Sequence, residues 1–283
     1  MEELRRISTL AVEAMLYEVS ATPKPGLVDR DNPGAHRDMD FFTFMTSAAA
    51  LHDAFLAMAE TGYEGRERPV QEILPSLRAA GLEAEQRMFS FTNGVNTHKG
   101  MIFNLGLLAG AAGWAIGKEP FSSALACSLV SRMCQGLAER ELGALEGKEN
   151  LTKGERIYLK YGFTGARGEA ESGYRTVRLY SLPAYASLRA SGMDANDALA
   201  ETLLHLICHN NDTNILSRHD MTALEYARKA AADALSLGGM RTEKGRRRIK
   251  AMDRDFIDKY ISPSGSADLL AVTHFLFSLD TVQ

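Results

Sequence analysis

Residues 100–117 read GMIFNLGLLAGAAGWAIG, a run without a single charge, bounded by Lys99 and Lys118. Its length falls at the short end of the roughly 17–25 residues that a membrane span requires. Five glycines and Asn104 lower its apolarity, however, and no second span follows. Helices apolar on every side also occupy the centre of large soluble proteins. Gly106 and Gly110, like Gly113 and Gly117, have the small-xxx-small spacing that lets helices approach closely. The run is therefore read as a buried central helix around which the remainder packs.

Outward from that helix the apolar residues keep a helical period, and no alternating strand run or Asn-Gly hairpin interrupts them. Helices are expected over residues 4–20, 39–59, 70–88, 97–117, 121–137, 151–161, 172–190, 195–208, 223–237, 243–260 and 267–279. No repeat, low-complexity tract or linker divides them. The expectation is an all-α fold, a single domain over residues 1–283 with about ten helices. An apolar fraction of 45% with 24% charged residues suits an ordinary globular protein. A net charge of −4 argues against non-specific nucleic-acid binding. The N-terminus lacks the apolar core of a secretory signal, and three cysteines without C-x-x-C spacing fit a reducing compartment. A cytoplasmic protein with no membrane contact is expected.

The helical pattern breaks at polar junctions, and these carry the chemistry. The longest, residues 22–40 (TPKPGLVDRDNPGAHRDMD), mixes carboxylates, cations, prolines and glycines between two helices. A long connection without its own secondary structure is usually functional or disordered. Its composition offers carboxylates for a hard cation and cations for an anion. Residues 96–100 (NTHKG) open the central helix, where unpaired N–H groups and a partial positive charge favour phosphate. Residues 165–170 (GARGEA) place a guanidinium suited to phosphate between two glycines. Residues 210–214 (NNDTN) include Asp212, a ligand type that suits Mg²⁺, and residues 262–268 (SPSGSAD) read as a further helix start. The basic run from Arg241 to Arg254 is read as a solvated helix face. The dipeptides His52-Asp53 and His219-Asp220 are a weak sign of a metal-dependent phosphohydrolase.

Taken in order, six blocks resemble the triphosphoribosyl-dephospho-coenzyme A synthases: residues 22–30, 34–40, 95–100, 165–170, 211–214 and 265–270. The resemblance covers nearly the whole chain. Two positions depart from the family pattern: His219-Asp220 follow Arg218 where two glycines are usual, and Ser264 replaces a glycine. The resemblance implies transfer of the 5-triphosphoribosyl group of ATP to the 2′-hydroxyl of 3′-dephospho-coenzyme A, with release of adenine. The product is a prosthetic-group precursor, passed to a carrier-protein transferase. Displacement at an anomeric carbon calls for an oxocarbenium-like transition state, acid–base groups and charge compensation.

On this reading Asp29, Asp38, Asp40, Glu169 and Asp212 supply carboxylates for Mg²⁺ and for acid–base work. Lys24, Arg30, Lys99 and Arg167 clamp phosphates, helped by Asn96, Thr97, His98, Asn211, Asn214 and Ser266. His36 is the first choice for proton transfer because an ordinary imidazole titrates near neutrality, with Glu169 next and Asp29 also in the catalytic set. The sharpest expectation is spatial: Asp29, His36 and Asp38 should lie near Lys99, Arg167, Glu169 and Asp212. Two other classes stay open, a helical metal-dependent hydrolase of phosphate or N-ribosyl bonds, and a non-catalytic nucleotide- or coenzyme A-binding module.

Overall fold

A computed structural model describes residues 1–145 and 147–281. Those residues form helices, turns and loops, with no strand among them. The fold is all-helical, as expected.

The centre is α5 (Lys99–Ala115), buried along nearly its whole length. It crosses α3 (His52–Glu64) at a backbone-to-backbone contact made possible by glycine. A methyl group built on Gly62 would overlap the Gly110 carbonyl, and one on Gly113 would overlap the carbonyl of Ala59. Gly106 is packed beneath the Met58 sulfur in the same crossing. The small-residue spacing read from the sequence thus serves a helix–helix contact in the core, while Gly117 lies beyond the helix with φ 77°. Around this pair pack α1 (Glu2–Ser20), α4 (Leu74–Phe91) and α15 (Ser264–Thr281). The buried apolar residues form one cluster that extends from Leu4 on α1 to Leu276 on α15.

Several expected helices divide. Residues 39–59 become α2 (Phe41–Ala50) and α3, because the Leu51 amide bonds back to Ala48 in a tight turn. Asp40 and Thr43 form a reciprocal capping box that starts α2. Together residues 41–64 are apolar enough for a bilayer by length and composition, a test that core helices also pass. The helix expected over residues 121–137 is α6 (Ser123–Met133), which ends before Gly136 (φ 71°), and a further helix, α7 (Leu137–Leu142), follows that glycine. α8 (Lys153–Tyr161) opens on a second capping box, Thr152 with Glu155. Like α7, two more short helices go beyond the sequence expectation, α9 (Gly165–Glu171) and α12 (Thr213–Arg218). They are too short to show a period. A π-helical turn over Val177–Ser181 leads into α10 (Leu182–Ala190). Then come α11 (Ala195–His209), α13 (Met221–Ser236) and α14 (Glu243–Asp258). From Lys244 to Arg254 the basic run lies on α14, which buries Ile249, Met252 and Phe256 and exposes Arg247. Arg241 precedes it and pairs with Glu201, and Arg246 pairs with Asp197.

Candidate active site

Residues 22–40 form an ordered structure held by its own carboxylate. Asp29 accepts hydrogen bonds from the Thr22 hydroxyl (2.8 Å) and from the amides of Lys24 (3.0 Å), Asp31 (2.8 Å) and Asn32 (3.1 Å). Asp253 of α14 holds the far side, accepting from the Gly26 amide and the Asn32 side chain. Gly26 (φ 71°) sits so close to the Ile261 carbonyl that a side chain there would collide. This peg-and-strap arrangement turns Leu27, Val28, His36, Asp38 and Met39 toward a cavity of about 530 Å³.

Five helices begin at that cavity. The starts of α5 (Asn96, Thr97, Lys99), α8 (Lys153, Gly154), α9 (Thr164, Gly165), α12 (Thr213, Asn214) and α15 (Ser264, Asp268) all line it. Each contributes a partial positive charge, and in this geometry those charges add, although side chains already cap one or more amides at α5, α8, α12 and α15. Four cations reinforce them: Lys99, Lys153, Arg167 and Arg218. Lys99 is tethered to Glu85 at 2.7 Å and Arg167 to Glu141, whereas Lys153 has no ion-pair partner among the described residues. The Arg218 guanidinium rests on the Ala35 carbonyl at 3.4 Å.

Three carboxylates face this positive wall. Asp38 stands at the rim, 4.0 Å from the His36 imidazole and largely exposed. Glu18 lies on the floor, in a buried ion pair with Lys24. One of its oxygens, Oε2, is buried without any hydrogen-bond partner. Asp268, the fifth residue of α15, presses against Gly100 of α5, where a methyl group would overlap its carboxyl. No hydrogen bond or ion pair among the described residues falls on Asp268. Burial, then the nearby Asp212 and Glu18 charges, hold its carboxyl well above the usual range, so it binds a proton more readily than an ordinary aspartate. Burial likewise raises Glu18 despite Lys24.

Of the residues chosen from sequence, His36, Asp38, Asn96, Thr97, Lys99, Arg167 and Asn214 line the cavity together. The others do not. Asp29 is consumed as the loop's internal peg. Asp40 caps α2 at the surface. Arg30 turns away to Asn196 (2.7 Å), and Asn211 accepts from Arg228 (2.6 Å). Glu169 receives the Thr176 amide and hydroxyl, tying α9 to the next turn. Lys24 is buried beneath the floor against Glu18. His98 faces inward, with Nδ1 2.7 Å from the Ser47 hydroxyl, and burial lowers its pKa to about 3. Asp212 is a buried strut, accepting from the amides of Asn214 and Ile215 and from both the amide and hydroxyl of Ser266. It thereby locks the starts of α12 and α15 in register, and Ser266 is spent in the same contact.

His36 reaches the cavity but with altered chemistry. Burial first, then the Arg218 charge, lower its pKa to about 4, and its Nε2 sits 3.0 Å from the Ser262 hydroxyl. It is a neutral imidazole near pH 7. Glu18, Lys153, Arg218 and Asp268 are the ionisable cavity residues absent from the first selection. Asp268 lay inside a recognised block and was read only as a first-turn acid. Neither His-Asp dipeptide enters the cavity: His52 pairs locally with Asp53, and His219 bonds the Tyr260 carbonyl.

The geometry defines a class, an enzyme site shaped for a polyanionic substrate beside a carboxyl that takes up protons readily. Comparison with known proteins makes the class specific. Residues 4–283 match the profile of the ATP:dephospho-CoA triphosphoribosyl transferase family. A Klebsiella pneumoniae protein named 2-(5''-triphosphoribosyl)-3'-dephosphocoenzyme-A synthase is 41% identical over 96% of this chain and 93% of its own. A Pectobacterium atrosepticum protein of the same name is 43% identical over 97% of this chain and 89% of its own. A Vibrio cholerae protein, named as a probable synthase of this kind, is 44% identical over 97% of this chain and 88% of its own. No solved structure matches. The chain belongs to the ATP:dephospho-CoA triphosphoribosyl transferase family, and its activity is that transfer.

Proposed function

We propose that the cavity is where the triphosphoribosyl group of ATP passes to the 2′-hydroxyl of 3′-dephospho-coenzyme A, releasing adenine. The observation that carries this reading is the convergence of five helix starts and four cations on one partnerless carboxyl. The helix amides with Lys153 and Arg218 offset the triphosphate charge and fix the ribose. In the transfer the C1′–N9 bond breaks and a C1′–O2′ bond forms. Asp268 accepts the proton of the attacking hydroxyl, and adenine, leaving with the bonding electron pair, takes up that proton from Asp268 by way of solvent water. Asp268 in its ionised form, with no cation partner among the described residues, offsets the charge of the oxocarbenium-like ribose, whereas Glu18 is already compensated by Lys24. His36, neutral at pH 7, orients rather than shuttles protons.

The described residues contain no cluster of three or more side chains able to hold a metal. The donor set fits a hydrated Mg²⁺ carried in on the triphosphate, since that ion keeps several waters and takes one or two carboxylates beside phosphate oxygens. Asp38, at the rim, is the carboxylate available to it, and the cation would supply charge compensation. Three unpaired cysteines support a cytoplasmic setting, the continuous core supports a single domain, and the product goes to a carrier-protein transferase.

The test is to incubate the protein with ATP, Mg²⁺ and dephospho-coenzyme A and measure free adenine by liquid chromatography. Adenine that appears only when both nucleotides are present supports the transfer. Product from ATP alone would identify a hydrolase, and binding of both nucleotides without adenine would identify a binding module.

A further inference from the structure

A second depression of about 400 Å³ adjoins the cavity and shares Lys99, Gly100, Ala166 and Arg167 with it. The two spaces differ in chemistry. The neighbour runs between α4 and α5 over Leu77, Leu82, Ile102, Phe103 and Leu107, with Met58 at its base. Its three cations are tethered to two carboxylates, Lys99 to Glu85 and both Arg78 and Arg167 to Glu141, which leaves one positive charge in excess. A polar cavity lined by four cations and three carboxylates therefore opens, across a partition of two tethered cations, onto a largely apolar groove.

That sequence of surfaces corresponds to the acceptor. Dephospho-coenzyme A is an adenosine carrying the reactive hydroxyl, then a diphosphate, then a long uncharged pantetheine arm. If the adenosine hydroxyl meets the donor ribose near Asp268, the diphosphate falls a few bonds away, and the arm must leave the cavity. We infer that Lys99 and Arg167 hold the acceptor's diphosphate and that the groove between α4 and α5 takes its pantetheine arm. This assignment rests on the proposed placement of the transfer. It gives the two nucleotides a physical distinction, because ATP has nothing apolar to lay in the groove. Burying the arm's methylenes and gem-dimethyl group favours the acceptor by the ordinary hydrophobic term. The tethers of Lys99 and Arg167 also hold both cations ready, so less side-chain freedom is lost on binding.

Gly81 offers a clean perturbation. It lies on α4 along the groove, and the nearest atom to an added Cβ is the flexible Met58 Cε at 3.8 Å. Gly81→Phe therefore fills the groove from its own wall. The experiment measures adenine release with dephospho-coenzyme A and, separately, with ADP, the same acceptor without the arm. For the unaltered protein, kcat/KM with ADP should be at least about tenfold lower than with dephospho-coenzyme A. Gly81→Phe should raise KM for dephospho-coenzyme A about tenfold, leaving KM for ATP and activity with ADP unchanged. Leu82→Glu, at a half-exposed position where folding is not at stake, should give the same pattern if Gly81→Phe proves unstable. Equal use of ADP and dephospho-coenzyme A by the unaltered protein, or an unchanged acceptor KM in the folded variants, would overturn the inference. Absence of adenine from the unaltered protein with dephospho-coenzyme A would overturn instead the proposed transfer.

Discussion

Replacing Lys24 with methionine removes one half of a buried ion pair. Both side chains are almost fully enclosed, at 1% and 2% exposure, and Lys24 Nζ is the cation bonded to Glu18. Glu18 has no substitute partner, since its second oxygen is already unpaired. Stranding a buried charge costs about 3–5 kcal/mol. At the roughly 2 °C per kcal/mol expected for a chain of this size, the melting temperature should fall by about 6–10 °C. The loss should also depend on pH with a definite sign. Burial already raises the Glu18 pKa above 4.5, and removing the lysine raises it further. A carboxyl raised in the folded state weakens stability as pH climbs from the unfolded pKa through the folded one. The variant should therefore lie closest to the parent near pH 5 and furthest from it near pH 8. Chemical denaturation at those two pH values measures the gap, and Lys24→Met/Glu18→Leu should recover most of it because no charge is left stranded. A loss below about 1 kcal/mol at pH 8, or a gap that widens toward pH 5, would refute the reasoning about this pair.

Asp268→Asn should keep the fold and lower kcat for adenine release by about 10²–10⁴-fold, with KM for ATP nearly unchanged, as removal of a proton acceptor predicts; initial-rate kinetics and circular dichroism check the two halves. Because burial and Arg218 hold His36 near pKa 4, kcat/KM should show no limb between pH 6 and 7 that His36→Gln removes. A pH–rate profile of both proteins reads this directly. Gly113→Ala should destabilise by about 1–3 kcal/mol or prevent accumulation, since the added methyl meets the Ala59 carbonyl rather than a yielding side chain. Gly94→Ala is a poor control because its φ is 83°, whereas Gly81→Ala, with room for the methyl, should be neutral or slightly stabilising in thermal melts.

The architecture was legible where a helix was long and one-sided or wholly apolar. α1, α5 and α11 were placed within two residues because their burial pattern repeats over many turns. α9 and α12 were not, because helices of 7 and 6 residues are set by capping and by neighbours rather than by period. The same limit shaped the reading of the site. Residue type and junction position brought out His36, Asp38, Lys99 and Arg167 correctly as cavity residues. Type alone cannot tell a carboxylate that meets solvent from one that its own backbone consumes. Asp29, Asp40 and Asp212 are aspartates that accept local amides, the commonest use of aspartate at turns and helix starts. Asp268 differs only in having no such partner, a property of three-dimensional packing. Its one local trace is Gly100, distant in sequence, whose missing side chain makes space for the carboxyl.

The glycine crossing of α3 and α5 has a mechanical consequence. Two helices in backbone contact at Gly62, Gly110 and Gly113 have no side-chain layer to shear, so α5 can neither slide nor roll without atomic overlap. Its first turn, with Lys99 and Gly100, is thereby a fixed jaw. The opposite jaw is lightly moored: α8 buries only Glu155 and Ile157, and α9 only Ala170. Segments with few buried contacts are the ones that open at low energy. Substrate entry and product escape are accordingly expected on the Lys153–Arg167 side rather than past the first turn of α5.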